Sequence, residues 1–377
     1  MSNPWMRSVL LRTSIATGLL ILGAGVLLLG AATRAGAVAR PVKTFHLYVN
    51  DGEWEFADGE KTYIVGYVAY NSKFEEAPPG AALPAPTIPS PEIRVRVGDE
   101  VHVFLHHNGH SHAAKDSAFA NVTHTIHFHG MDLVQAYDGV PGVPAEGLPA
   151  KLLSGVPVGA VYEYKFVPEY EGSYLYHCHI DSSTHILLGM YGAFIVEGKK
   201  PNTIYGYHYD REYTLFFSEM DTAHNEAIRT RGDYEMLKWK TDYYLLNGRI
   251  FTDDLTNPRS TIADPRSVIR AKEGETVLLR LVDASFSHVT AFHPHAYHMK
   301  VIGMDGRKLD SPYWKDTIPI ASGERYDVLV PIIQKRNTLC LSCGFGKGMS
   351  IAHDHNLGGM VSSGKYPRGP LTVFAVE

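Results

Sequence analysis

Apolar and polar residues alternate along most of the chain in short runs, and Gly, Pro, Asn and Asp bound those runs. A period of two places one row of side chains in a core and the other toward solvent, the pattern of half-buried strands. It predicts strands over Lys61–Val68, Ile93–Val97, Glu100–Leu105, Val161–Phe166, Ser173–His177 and Ala193–Val196. The longer period of helices is scarce, so the expected class is all-β, folded as antiparallel sandwiches.

The pattern also repeats. Val95-Arg96-Val97-Gly98-Asp99-Glu100-Val101 is echoed by Ile269-Arg270-Ala271-Lys272-Glu273-Gly274-Glu275-Thr276-Val277, and closely spaced histidines follow each copy. Two copies of one β-domain in tandem account for this, with residues 40–197 as the first domain and 211–377 as the second. The stretch 198–210 between them, rich in Lys, Pro and Asn at its start, is the expected linker.

Residues 1–39 have a different pattern. Arg7 and Arg12 precede an apolar run from Ile15 to Ala32, and small residues from Ala35 to Ala39 then offer an A-x-A cleavage site. This is the layout of a secretory signal, which implies a periplasmic or secreted protein. Left uncleaved, the same run would anchor the chain in a membrane. No Arg-Arg pair points to the twin-arginine route.

The whole chain of 377 residues is 45% hydrophobic and 20% charged, an ordinary globular balance. A net charge of −5 lacks the basic excess that nucleic acid would require. Cys178, Cys340 and Cys343 are the only cysteines, too few for a disulfide framework in an exported protein. Cys340 and Cys343 can close a local bridge or stay reduced, whereas Cys178 has no evident partner.

Cys178 sits in the middle of His177-Cys178-His179, with His185 and Met190 following, and an earlier segment reads His124-Thr125-Ile126-His127-Phe128-His129-Gly130. Alternation along extended chain puts His127 and His129 on one face and His124 on the other, and it separates His177 and His179 from Cys178. One face therefore offers His124 and Cys178, which His185 and Met190 can join. Two imidazoles, a thiolate and a weak thioether are the donor set of a blue electron-transfer copper. The opposite face offers four histidines, half of a site for several coppers. The second domain repeats the spacing with His293-Pro294-His295 and His353-Asp354-His355. Asp354 stands where Cys178 would be and Thr290 where His124 would be, so the second domain keeps cluster donors and lacks the blue site. His106, His107, His110 and His112, with His288 and His298, are expected to face solvent or to support ligands from behind. An accessory copper site is the alternative for them.

Taken together, these motifs resemble the multicopper oxidase family, in its two-domain, laccase-like branch, and the resemblance covers nearly all of the chain after residue 39. Asn247-Gly248-Arg249, the run from Gly323 to Val330, and His353-Asp354-His355-Asn356-Leu357 resemble second-half motifs of that family. The resemblance implies two cupredoxin-like Greek-key β-sandwich domains in tandem and four coppers per chain. His124, Cys178, His185 and Met190 would hold the type 1 ion, and His127 and His293 the type 2 ion. His129, His177, His179, His295, His353 and His355 would hold the type 3 pair. Asp138, in Tyr137-Asp138-Gly139-Val140-Pro141-Gly142, would relay protons, although an aspartate before glycine also suits a plain turn.

The implied activity is one-electron oxidation of a phenol, aromatic amine or metal ion coupled to reduction of O2 to water. The implied assembly is a homotrimer with clusters shared between subunits. The loop from Cys178 to His185 is longer than in common laccases. A copper nitrite reductase would share the blue site, but that family has an aspartate where His127 stands and no histidine where His179 stands. A non-catalytic periplasmic copper-binding or resistance protein would have no need of the second-domain pairs.

Overall fold

Eight strands form the first half of the structure: β1 (Val42–Glu55), β2 (Lys61–Val68), β3 (Ser90–Arg96), β4 (Glu100–His107), β5 (His127–His129), β6 (Val161–Phe166), β7 (Gly172–His177) and β8 (Tyr191–Glu197). They make two four-stranded sheets, in the orders β2-β1-β4-β6 and β3-β8-β7-β5. On β4, Val101, Val103 and Leu105 are buried while His102 and Phe104 lie on the other face, the alternation expected of a sheet packed on one side. Those residues join Leu47, Val49, Phe128, Phe194 and Val196 in one apolar core between the sheets. The computed structural model describes residues 40–141, 155–333 and 348–377, so the N-terminal segment 1–39, Cys340 and Cys343 lie outside it. No helix among the described residues is long and apolar enough to cross a membrane.

The second half is a six-stranded sheet packed on a five-stranded one. The larger sheet includes Arg211–Met220, Thr276–Asp283 and Arg325–Pro331, and the smaller includes Thr290–Pro294, Met349–Asp354 and Leu371–Val376. Between the two sandwiches, Thr203–Ile204 and Tyr207–His208 pair as a small hairpin.

Apolar residues from both sandwiches share a cluster in which Ile64, Leu175 and Tyr191 meet Phe216, Leu245 and Val282. Beside it lies a buried polar knot. The Ser173 hydroxyl on β7 donates to Asp327 Oδ1 at 2.5 Å, and Tyr205 donates to Asp327 Oδ2 at 2.9 Å. The Arg280 guanidinium, 1% exposed, reaches Asp327 at 3.4 Å and Glu212 at 3.0 Å. A buried arginine is tolerable only while such partners surround it.

Asp327→Ala removes the shared acceptor from Ser173, Tyr205 and Arg280 at once. It should destabilise the protein by about 3 kcal/mol or more, read as a lower urea midpoint. A loss within about 0.5 kcal/mol, ordinary for a surface change, would show that the knot carries no stability.

Candidate metal centres

β7 is an inner strand, paired with β8 on one side and β5 on the other, and its register sets His177 opposite His127. Strand pairing stops at His177, but the amide of Cys178 still donates to the Met190 carbonyl at 3.1 Å. The chain therefore stays extended long enough for Cys178 to turn into the core while His177 faces the other way. His124 is held by a two-way bridge to Val156, its amide donating at 3.2 Å and its carbonyl accepting at 2.7 Å.

In the core the Cys178 sulfur lies 3.6 Å from His124 Nδ1 and 3.1 Å from His185 Nδ1. The three donor atoms lie within 4.8 Å of one another, close enough to share one ion. Met190 is fully buried in the same core, and its amide donates to the His185 carbonyl at 3.1 Å. Burial pushes the Cys178 thiol up to about 11 and His185 down to about 3, so imidazole lone pairs stand ready while the thiol needs a cation to ionise it. The donor set fits copper of the blue type.

His185 is buried rather than carried on an open loop. It rides on the short helix Ser182–Leu187, 1% exposed, with its ring against the edge of Phe119 at 5.5 Å. That helical turn carries the chain from Cys178 back to the core. The histidine tract is also more buried than expected of solvent-facing residues. His106 and His107 are buried, His110 is partly so, and His112 alone of the tract has a largely open side chain. His110 Nε2 lies 2.8 Å from His124 Nε2, so it supports that donor from behind. Parity along a strand gives no sign of this contact, because the intervening loop creates it.

The other face carries His127, His129, His177 and His179. The His127 ring lies 5.1–5.5 Å from the other three, and His129 Nδ1 lies 3.4 Å from His177 Nε2. The second sandwich repeats the arrangement. His293 stands opposite His353 in register, its ring lies 4.9–6.0 Å from those of His295, His353 and His355, and His295 Nε2 lies 3.1 Å from His353 Nε2.

The outer nitrogens match as well. Nδ1 of His127 lies 2.7 Å from the Asp138 carbonyl, and Nδ1 of His293 lies 2.9 Å from that of Asp316. His177 and His353 each direct Nδ1 to the carbonyl of the next residue, at 2.9 and 2.8 Å. A neutral imidazole donating through Nδ1 keeps its lone pair on Nε2, so all four are oriented as Nε2 ligands. The Asp138 carboxylate lies 3.3 Å from His127 Nδ1.

Where the second sandwich lacks a cysteine, Asp354 is fully buried and takes a 2.5 Å contact from His288 Nε2 and amides from Ala291 and Asn356. Thr290 donates to Asp283 at 2.8 Å. Hydrogen bonds fill the space that sulfur and imidazoles fill in the first.

The ring contacts and hydrogen bonds of the eight histidines in the four H-x-H pairs form two sets of four, and among the described residues none joins the sets. From the second sandwich, His129 meets Gly323, where an added Cβ would stand 3.0 Å from the ring, and Arg325, whose charge adds to burial in holding its pKa to about 4.

Two models described as multicopper oxidase match the chain, at residues 83–201 and 211–360. Copper resistance protein A of Escherichia coli is 26% identical over 280 residues, covering 64% of this chain and 41% of its own. Putative laccase-1 of Oryza sativa subsp. japonica is 27% identical over 245 residues, covering 64% of this chain and 37% of its own. The chain thus spans less than half the length of these relatives. Among solved structures, a blue copper oxidase from Nitrosomonas europaea superposes with a TM-score of 0.67 at 25% identity, and the multicopper oxidase mgLAC with 0.65 at 26%. Each covers 89% of this chain and 86% of its own. The two halves are tandem all-β, cupredoxin-like sandwiches. The chain belongs to the multicopper oxidase family, and copper is the metal that membership implies.

Burial holds His177 near 3 and His129 near 4, against an ordinary 6.5. The unfolded chain therefore binds protons first as pH falls. In the copper-free protein the stability that these neutral rings contribute should be full above pH 6.5 and be lost as pH falls from there toward 3. Urea midpoints measured across that window should decline together with pH, and a flat profile would contradict the buried, neutral state of these rings.

Proposed function

We propose that the protein is a laccase-like oxidase that oxidises a small phenol, aromatic amine or metal ion one electron at a time and reduces O2 to water. The observation that carries this reading is the continuity of His177-Cys178-His179 through two sites on opposite faces of one strand end. Copper held at these positions supplies one-electron chemistry at the Cys178 set and oxygen reduction at the histidine sets.

The type 1 set is His124, Cys178, His185 and Met190. The type 2 ligands are His127 and His293, and the type 3 ligands are His129, His177, His179, His295, His353 and His355, giving four coppers per chain. Cys178 links the two sites covalently, since His177 and His179 are its neighbours in the chain. Asp138 holds His127 through its carbonyl and keeps its carboxylate beside the same ring, a position suited to delivering protons. The N-terminal segment supports export to the periplasm or beyond, with membrane attachment only if it is retained.

The cluster needs both sets of four histidines, yet within one chain His129 of the first set meets Gly323 and Arg325. A homotrimer in which each first sandwich meets the second sandwich of the next chain completes every cluster.

Cys178→Ser should abolish both the intense visible band and oxygen consumption. His353→Ala should keep the band and lower oxygen consumption more than about a hundredfold, since even outer partners of metal ligands cost 10–100-fold. A blue Cys178→Ser protein would refute the type 1 assignment.

Light scattering on the holoprotein should give the mass of three chains. Mixing inactive His127→Ala and His353→Ala proteins should restore part of the activity, because some mixed trimers hold one cluster with all eight histidines. A fully active monomer, or no recovery despite demonstrated subunit exchange, would place the cluster within one chain.

A further inference from the structure

The solvent-side face of the β2-β1-β4-β6 sheet carries a second group of donors that none of the sites above uses. His46 and Tyr48 on β1 alternate with buried Phe45, Leu47 and Val49, and Phe104 and His106 on β4 alternate with buried Val103 and Leu105. The two strands run parallel, with His46 beside Phe104 and Tyr48 beside His106. His46 stacks on Phe104 at 4.8 Å with planes 8° apart, and His106 stacks on Tyr48 at 4.3 Å and 19°. Each imidazole is thus held flat by an aromatic neighbour, and His46 Nδ1 ends 2.9 Å from His106 Nε2.

The loop after β2 folds over this pair. His46 donates its amide to the Phe74 carbonyl at 2.9 Å, and the Ala77 amide donates to the Tyr48 hydroxyl at 2.8 Å. Those two bonds flank Glu76 and bring its carboxylate to the imidazoles, so one oxygen and two nitrogens lie within 4.8 Å of one another. The cover leaves His106 only 8% exposed although it points away from the core. Burial lowers the pKa of both rings, which leaves them neutral with lone pairs available. Two neutral imidazoles alone could share a single N–H···N hydrogen bond. A carboxylate within reach of both nitrogens adds negative charge, which suits a cation shared by all three.

We propose that His46, Glu76 and His106 form a further mononuclear metal site for a borderline divalent ion, with copper(II) bound more tightly than zinc(II). Two imidazoles and one carboxylate suit those ions rather than magnesium or calcium, and the order of affinity is that of first-row divalent metals generally. Three protein donors leave coordination positions for water. The site shares no residue with the Cys178 set or the histidine sets, and it does not depend on the oxidase reading. Through His107, next in the chain to His106 and 4.9 Å ring to ring from His124, it neighbours the Cys178 set.

The test uses the full-length, copper-loaded protein, treated with a mild chelator that empties the proposed surface site until copper content is constant and visible absorption holds. It is then desalted and dialysed against micromolar zinc(II), with both metals counted per chain. One zinc should bind with no loss of copper. Glu76→Gln, an exposed and conservative change, should weaken zinc binding more than about tenfold, and His46→Gln should abolish it. Both variants should keep wild-type visible absorption and copper content, which shows that they fold. The proposal is overturned if the wild type takes up no zinc, if zinc enters only as copper leaves, or if the variants bind it as the wild type does.

Discussion

Neighbouring side chains of an extended chain point in opposite directions, and at the end of β7 that constraint decides where every donor goes. The sulfur of Cys178 enters the core beside His124 and His185 because His177 and His179 must then face outward. Pairing on both edges of β7 holds the register that places His177 against His127. A slip of one residue would send the thiol to the histidine face and an imidazole into the core, so neither donor set would survive. The remaining support serves that alternation: the bridge from Val156 fixes His124, and the turn Ser182–Leu187 returns His185 and Met190 to the sulfur.

The second sandwich shows what the same frame does without the sulfur. His293 and His353 keep their register and their Nδ1 bonds, so the outward face repeats that of the first sandwich. Inside, Asp354 and His288 form a buried pair, with burial opposing the imidazolium and the carboxylate favouring it. Hydrogen-bonded polar groups leave this pocket satisfied without a sulfur ligand.

How much of this can be read from sequence depends on whether the information is local. β2 and β6 have the bounds their patterns predict, β6 alternates along its length although β2 is buried on both faces after Lys61, and the H-x-H pairs fall where parity assigns them. The stretch around His124 is less regular than its pattern suggests, since only His127–His129 pairs as a strand, yet the side chains still sort by parity. Contacts made by loops leave no periodic trace. The support of His124 by His110, the burial of His185 and the approach of Glu76 to His46 and His106 all depend on how a segment folds back. No spacing rule could have revealed them.

The bond from Ser173 to Asp327 ties the two sandwiches together on the same strand that ends at His177. Four residue steps along the strand take Ser173 to that histidine, a rise of roughly 13 Å along a nearly inextensible backbone. β7 therefore behaves as a tie rod, anchored in the second sandwich at one end and carrying the donor residues at the other. Any shear between the sandwiches reaches the sulfur as mechanical load before a looser part of the chain can take it up.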